Sequence, residues 1–106
     1  MVKKVRLSDH DVVALENVFR KYFLTDDGLW LFGSRTDLTK KGGDIDLYIE
    51  TNAKTIDEAV KMEENFIWDL EQQIGEQKID VVLNVLNFPY PLPMYEIAKA
   101  EGVKIV

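Results

Sequence analysis

Between Ser8 and Phe23 the apolar residues Val12, Leu15, Val18, Phe19, Tyr22 and Phe23 recur every three or four positions, the period of one helical face. Ser8 can cap the start, and Arg20 and Lys21 sit where positive charge favours a helix end, so the pattern predicts a helix over 9–23. Asp26-Asp27-Gly28 then reads as a turn, and Leu29-Trp30-Leu31-Phe32 as a short buried strand. Gly33-Ser34 stops that run. Beyond Lys40-Lys41-Gly42-Gly43, strict alternation predicts a strand over 44–50, with Ile45, Leu47 and Ile49 facing the core and Asp44, Asp46, Tyr48 and Glu50 sharing the opposite face.

The second half repeats these signals. Thr55-Ile56-Asp57-Glu58 matches a capping box, and Ala59, Val60, Phe66, Ile67, Leu70 and Ile74 keep helical spacing up to Gly75, which predicts a helix over 56–74. Residues 78–84 alternate again, sending Ile79, Val81 and Leu83 one way and Asp80 and Val82 the other. Pro89, Pro91 and Pro93 exclude a central strand and lead into a short helix over 94–100 that Gly102 ends. The predicted order is helix, strand, strand, helix, strand, helix. No repeat, low-complexity tract or linker divides the 106 residues, so one domain over 1–106 is expected, small enough for its stability margin to be thin.

Composition narrows the chemistry. Without cysteine there are no disulfides or thiolate metal sites, and the start Met-Val-Lys-Lys-Val-Arg lacks the apolar stretch of a secretory signal. No apolar run is long enough for a membrane helix, which makes a cytoplasmic protein the expectation. Nineteen acidic against thirteen basic side chains give a net charge of -6, which repels a phosphate backbone and argues against stable binding to long nucleic acid. A nucleoside triphosphate differs, because it arrives with its own cation, which acidic groups attract.

Three features carry candidate chemistry. Gly33-Ser34 follows a strand and opens a helical turn, offering a phosphate backbone N–H groups and a hydroxyl, although such pairs usually do no more than turn the chain. Asp44-x-Asp46 projects two carboxylates from one strand face, a pattern also common on solvated edges. Asp80 changes the weighing, because it interrupts Ile79, Val81, Val82 and Leu83 with a poor strand former. Like charges about 4 Å apart repel by roughly 4 kcal/mol at an effective dielectric near 20, so clustered carboxylates need a cation or raised pKa values.

Taken together, Leu31-Phe32-Gly33-Ser34-Arg35, Asp44-Ile45-Asp46-Leu47 and Ile79-Asp80-Val81-Val82 resemble the minimal nucleotidyltransferases of the DNA polymerase beta superfamily over nearly the whole chain. The resemblance implies an α/β fold of the α+β type, a small mixed sheet flanked by helices. It also implies that Gly33 and Ser34 grip the triphosphate with Arg35 near the phosphates, while Asp44, Asp46 and Asp80 hold two Mg2+ ions. A nucleoside monophosphate, AMP where the donor is ATP, would pass to a hydroxyl with no protein nucleophile. This sequence departs from the family pattern in two places. A second arginine is absent, with Thr36 and Asp37 in that region and Lys40 and Lys41 as its only basic substitutes, and Gly43 stands where a hydroxyl residue is frequent.

No acceptor-binding domain is expected within these 106 residues. The resemblance therefore implies a partner, a helical HEPN-type toxin whose tyrosine receives AMP, so that this chain acts as an antitoxin; self-association is left open. Two other readings compete: a docking module that neutralises a partner by contact alone, and transfer to a small hydroxylated molecule. His10 is expected on the surface, and Trp30 and Phe32 are expected to pack, with Trp68 less firmly placed. Glu50, Glu63 and Glu64 stay outside the site, and Pro89 to Tyr95 reads as packing across the sheet in preference to an exposed docking strip.

Overall fold

A computed structural model describes residues 5–39, 43–90 and 92–106. Helix α1 runs Asp9–Tyr22, strand β1 Gly28–Phe32, a 3-10 turn Gly33–Thr36, strand β2 Ile45–Thr51, helix α2 Ile56–Ile74, strand β3 Ile79–Val85, helix α3 Pro93–Glu101 and strand β4 Val103–Lys104. The elements form where the local signals put them. Ser8 Oγ accepts from Asp11 N, Thr55 Oγ1 accepts from Glu58 N, and α2 stops at Gly75, whose φ of 86° suits a residue without Cβ.

The four strands lie in the order β3-β2-β1-β4, with β2 parallel to β3 and β1 antiparallel to both β2 and β4. Alternation along the strands separates the two faces. Leu29, Leu31, Ile45, Leu47 and Ile49 are fully buried against Leu15, Val18 and Phe19 of α1 and Phe66 and Leu70 of α2. Phe19, Phe23 and Phe66 form an aromatic cluster with centroids 4.6–5.9 Å apart, and truncating one such ring costs about 3–5 kcal/mol. The other face carries α3, whose Ala98 and Tyr95 cover Trp30 and Tyr48 of the sheet, with Phe32 and Val82 beside them. This is the mixed sheet with flanking helices of a polymerase-beta-like fold.

Two expectations are corrected. The sequence pattern contains no fourth strand, yet β4 pairs Lys104 with Trp30 and Val103 with Leu31, and Ile105 N donates to Leu29 O. Two residues are too few to show alternation, so the strand is set by β1, whose free edge needs hydrogen-bond partners. Val60, which the helical period places inward, is 40% exposed on α2, because the stripe that α2 buries is centred on Ala59, Phe66 and Leu70.

Candidate functional site

Parallel pairing of β2 with β3 puts Asp46 and Asp80 at the same register position, so both carboxylates leave the sheet on one face. Asp44 lies two residues before Asp46, beside the residue that precedes β3, and its Oδ2 stands 3.4 Å from Lys78 Nζ. Asp44 and Asp46 are half-buried and Asp80 is exposed. The Asp46 carboxyl is held above its ordinary pKa, first by burial and then by the negative charges of Asp80 and Asp44, which Lys78 offsets in part. The sequence gives no reason to single out Lys78. Only the pairing of its strand with β2 brings it to Asp44.

The Gly33-Ser34 turn adjoins these carboxylates because Phe32, the last residue of β1, pairs with Asp46 across the sheet. Gly33 has a φ of 76°, and a Cβ on it would strike the Asp46 carboxylate. Glycine is therefore required twice over, by backbone conformation and by close approach. Gly43 shows the same double requirement, with a φ of 98° and the Ser34 hydroxyl where its Cβ would go.

Side chains from within the turn and from outside it hold it. Thr36 Oγ1 donates to Gly33 O at 2.7 Å, and Arg6 donates through Nη2 to Ser34 O at 2.7 Å and through Nε to Asp37 O at 2.8 Å. Arg35, expected near the phosphates, directs its guanidinium along the base of the loop. It donates to Arg6 O at 2.9 Å and Gly43 O at 3.2 Å, and reaches Gln77 Oε1 at 3.5 Å. Lys40 and Lys41 lie outside the described residues.

The donor set suits a hard divalent cation, since its carboxylates are oxygen donors and burial, then the neighbouring acids, already disfavour the charged form of Asp46. As the side chains stand, they do not converge: among the described residues no group of three or more His, Asp or Glu side chains is arranged to hold a metal ion. Asp44 is turned to Lys78 instead, in an ion pair exposed enough to be worth at most about 1 kcal/mol, which a cation can readily displace.

The model of a family described as the nucleotidyltransferase domain matches residues 8–105. The chain belongs to this family. None of the curated proteins is similar enough to count as a match. For a nucleotidyltransferase domain, nucleotidyl transfer is the general activity and a nucleoside triphosphate the substrate. No helix among the described residues is long and apolar enough to cross a membrane.

The residues set aside stay apart from this domain's carboxylates. His10 is exposed on α1, with Nδ1 3.2 Å from Asp11 Oδ1. Glu50 accepts from Tyr48 Oη at 2.8 Å and pairs with Lys99 at 3.2 Å, at the end of β2 remote from Asp44. Trp30 is buried against Tyr48, with Lys99 and Lys104 each 5.3 Å from its ring, so it packs as expected. Trp68 is 66% exposed on α2. The proline-rich segment departs from expectation. Only Tyr95 packs against the sheet, whereas Phe88, Tyr90, Leu92, Met94 and Ile97 are exposed, Tyr90 by 73%; Pro91 lies outside the described residues. The prolines keep this stretch from pairing with the sheet and leave its apolar side chains on the surface.

Proposed function

We propose that this chain is a magnesium-dependent adenylyltransferase that moves AMP from ATP to a hydroxyl of a partner protein. The partner is a helical HEPN-type toxin, the acceptor is one of its tyrosines, and the modification neutralises it. The observation that carries the reading is the register of Asp46 with Asp80 beside the Gly33-Ser34 turn. One surface thus offers both a polyanion grip and a set of hard oxygen donors.

Asp44, Asp46 and Asp80 would hold two Mg2+ ions. When bound, these ions neutralise the triphosphate and lower the pKa of the acceptor hydroxyl. Gly33 and Ser34 orient the phosphates through backbone N–H groups and the Ser34 hydroxyl, and Arg35 keeps Gly43 and the approach to β2 against that turn. The acceptor oxygen bonds to the α-phosphorus as the bond to pyrophosphate breaks, and Asp80, the most exposed of the three carboxylates, takes the hydroxyl proton and passes it to water.

The exposed strip from Phe88 to Ile97 supports a protein acceptor over a small hydroxylated molecule, because apolar side chains of this size on a small acidic domain suit a docked surface. The strip adjoins a hollow of about 180 Å3 lined by Asn84, Leu86, Tyr90, Leu92 and Tyr95. Asn84 lies four residues along β3 from Asp80, about 13 Å at strand rise, so a partner seated there can reach the carboxylates. The same strip is what favours the alternative, a module that neutralises its partner by contact alone.

Incubating the chain with its partner, Mg2+ and labelled ATP separates the two. AMP on a partner tyrosine, abolished by Asp44→Asn with Asp46→Asn while the complex persists, supports transfer. A stable complex with no label from any of the four nucleotides leaves contact alone.

A further inference from the structure

Arg6 lies far in sequence from every candidate site residue and belongs to no motif, yet it holds the centre of the phosphate-facing turn. Its Nη2 donates to Ser34 O at 2.7 Å and its Nε to Asp37 O at 2.8 Å. Its backbone N donates to Arg35 O at 2.8 Å, and its backbone O accepts from Arg35 Nη1 at 2.9 Å. Four hydrogen bonds thus stitch the segment before α1 to the turn, two of them from one guanidinium plane.

This clasp has a directional consequence. A trans peptide is planar, with its C=O and N–H pointing opposite ways, so a donor fixed on Ser34 O aims the Arg35 N–H to the other side of the turn. Thr36 Oγ1, bonded to Gly33 O, fixes the Ser34 N–H in the same manner. Gly33 stands in this four-residue 3-10 turn at a φ of 76°, no residue of the turn is buried, and Asp37 N also donates to Ser34 O at 3.1 Å, so the Arg6 and Thr36 bonds add to that backbone bond in fixing the peptide planes.

We propose that Arg6 is a positioning residue for triphosphate binding, acting through the peptide groups of Ser34 to Asp37. The inference rests on the reading of Gly33-Ser34 as the triphosphate grip. It requires arginine, because two carbonyls are met by one planar fork, which the point charge of a lysine cannot reproduce.

The test compares the full chain with Arg6→Lys, using ATP with Mg2+ as the calorimetric probe and backbone 15N relaxation across 34–38 as a second readout. ATP affinity is expected to fall about ten- to hundredfold, the range for groups that orient a binding shell. Order parameters in the turn should drop from the rigid value of about 0.85 toward the flexible range below about 0.6. The gain in melting temperature on adding Mg2+ alone should be unchanged, because the carboxylates are untouched. A merely structural loss would lower both responses. Where Arg6→Lys yields too little folded protein, Arg6→Gln, which keeps one donor, gives the same comparison. Unaltered ATP affinity and order in the variant overturn the clasp; failure of the parent chain to bind ATP overturns the reading of the site on which it rests.

Discussion

Asp46 and Asp80 face each other across a parallel strand pair, with Gly33 packed so closely on Asp46 that no side chain fits between them. Burial and two acidic neighbours raise the Asp46 pKa above its ordinary value. A raised folded-state value means that the stabilisation from this group is complete below the unfolded value and is lost as pH rises through the folded one. At neutral pH the ionised cluster therefore works against the fold. Asp46→Asn should raise the melting temperature by about 2–4 °C in the absence of divalent ions and, on the proposed metal site, abolish the further gain expected of the parent with Mg2+. A variant no more stable than the parent, with the Mg2+ response intact, would show that the carboxylates do not act as a cluster.

Asp69 behaves in the opposite sense. Lys21 Nζ at 2.9 Å, Tyr22 Oη at 2.8 Å and Gln73 Nε2 at 3.1 Å all donate to its carboxylate, and these bonds, that of Lys21 foremost, lower its pKa to about 2. A depressed value contributes stability above the unfolded pKa and loses it as pH falls through about 2. Thermal melts of the parent and Asp69→Asn should therefore differ near neutrality, with the parent more stable. The gap should close on acidification through the ordinary carboxylate range. A gap independent of pH would assign the effect to packing of α1 on α2.

What the sequence discloses follows the range of the interaction involved. The elements expected over 9–23, 44–50 and 56–74 form within one residue of those bounds because period, cap and stop agree locally. Alternation places Asp46 and Asp80 each opposite the apolar side of its own strand, whereas their pairing depends on the parallel register of β2 with β3, which no local pattern carries. Lys78, Arg6 and Thr36 were invisible because their roles are defined by partners up to 34 residues away or by a backbone carbonyl, neither of which leaves a pattern in the chain. The exposed strip was misread for a related reason: apolar composition predicts burial on average, and only the geometry of a proline-interrupted segment tells which side chains find a surface to cover.

Asp27, which reads as half of an ordinary Asp-Asp-Gly turn, is buried and accepts from Leu24 N at 2.9 Å, Thr51 Oγ1 at 2.7 Å, and Asn52 N and Nδ2 at 2.7 and 3.2 Å. It ties the turn before β1 to the end of β2. Asp27→Ala leaves several donors unmet and should lower unfolding free energy by about 2–4 kcal/mol, read as a lower urea midpoint at constant slope. Asp27→Asn should recover only part of this, since either orientation of the amide turns an NH2 toward donors.

Met94 and Ile97 are one helical turn apart on α3 and 50% and 56% exposed, so charging them removes little packing. Ile97→Glu with Met94→Lys should change stability by no more than about 0.5 kcal/mol, the usual limit for surface positions. The same pair should weaken capture of the proposed helical partner at least about tenfold if the strip is its seat, as truncation at the centre of an interface does. Asp46→Asn is expected to leave capture intact while removing transfer. The two variants then separate docking from chemistry on one small domain. Capture unaffected by the charged pair would move the partner to another face, and a large loss of stability would mean that α3 packs its outer side within the chain.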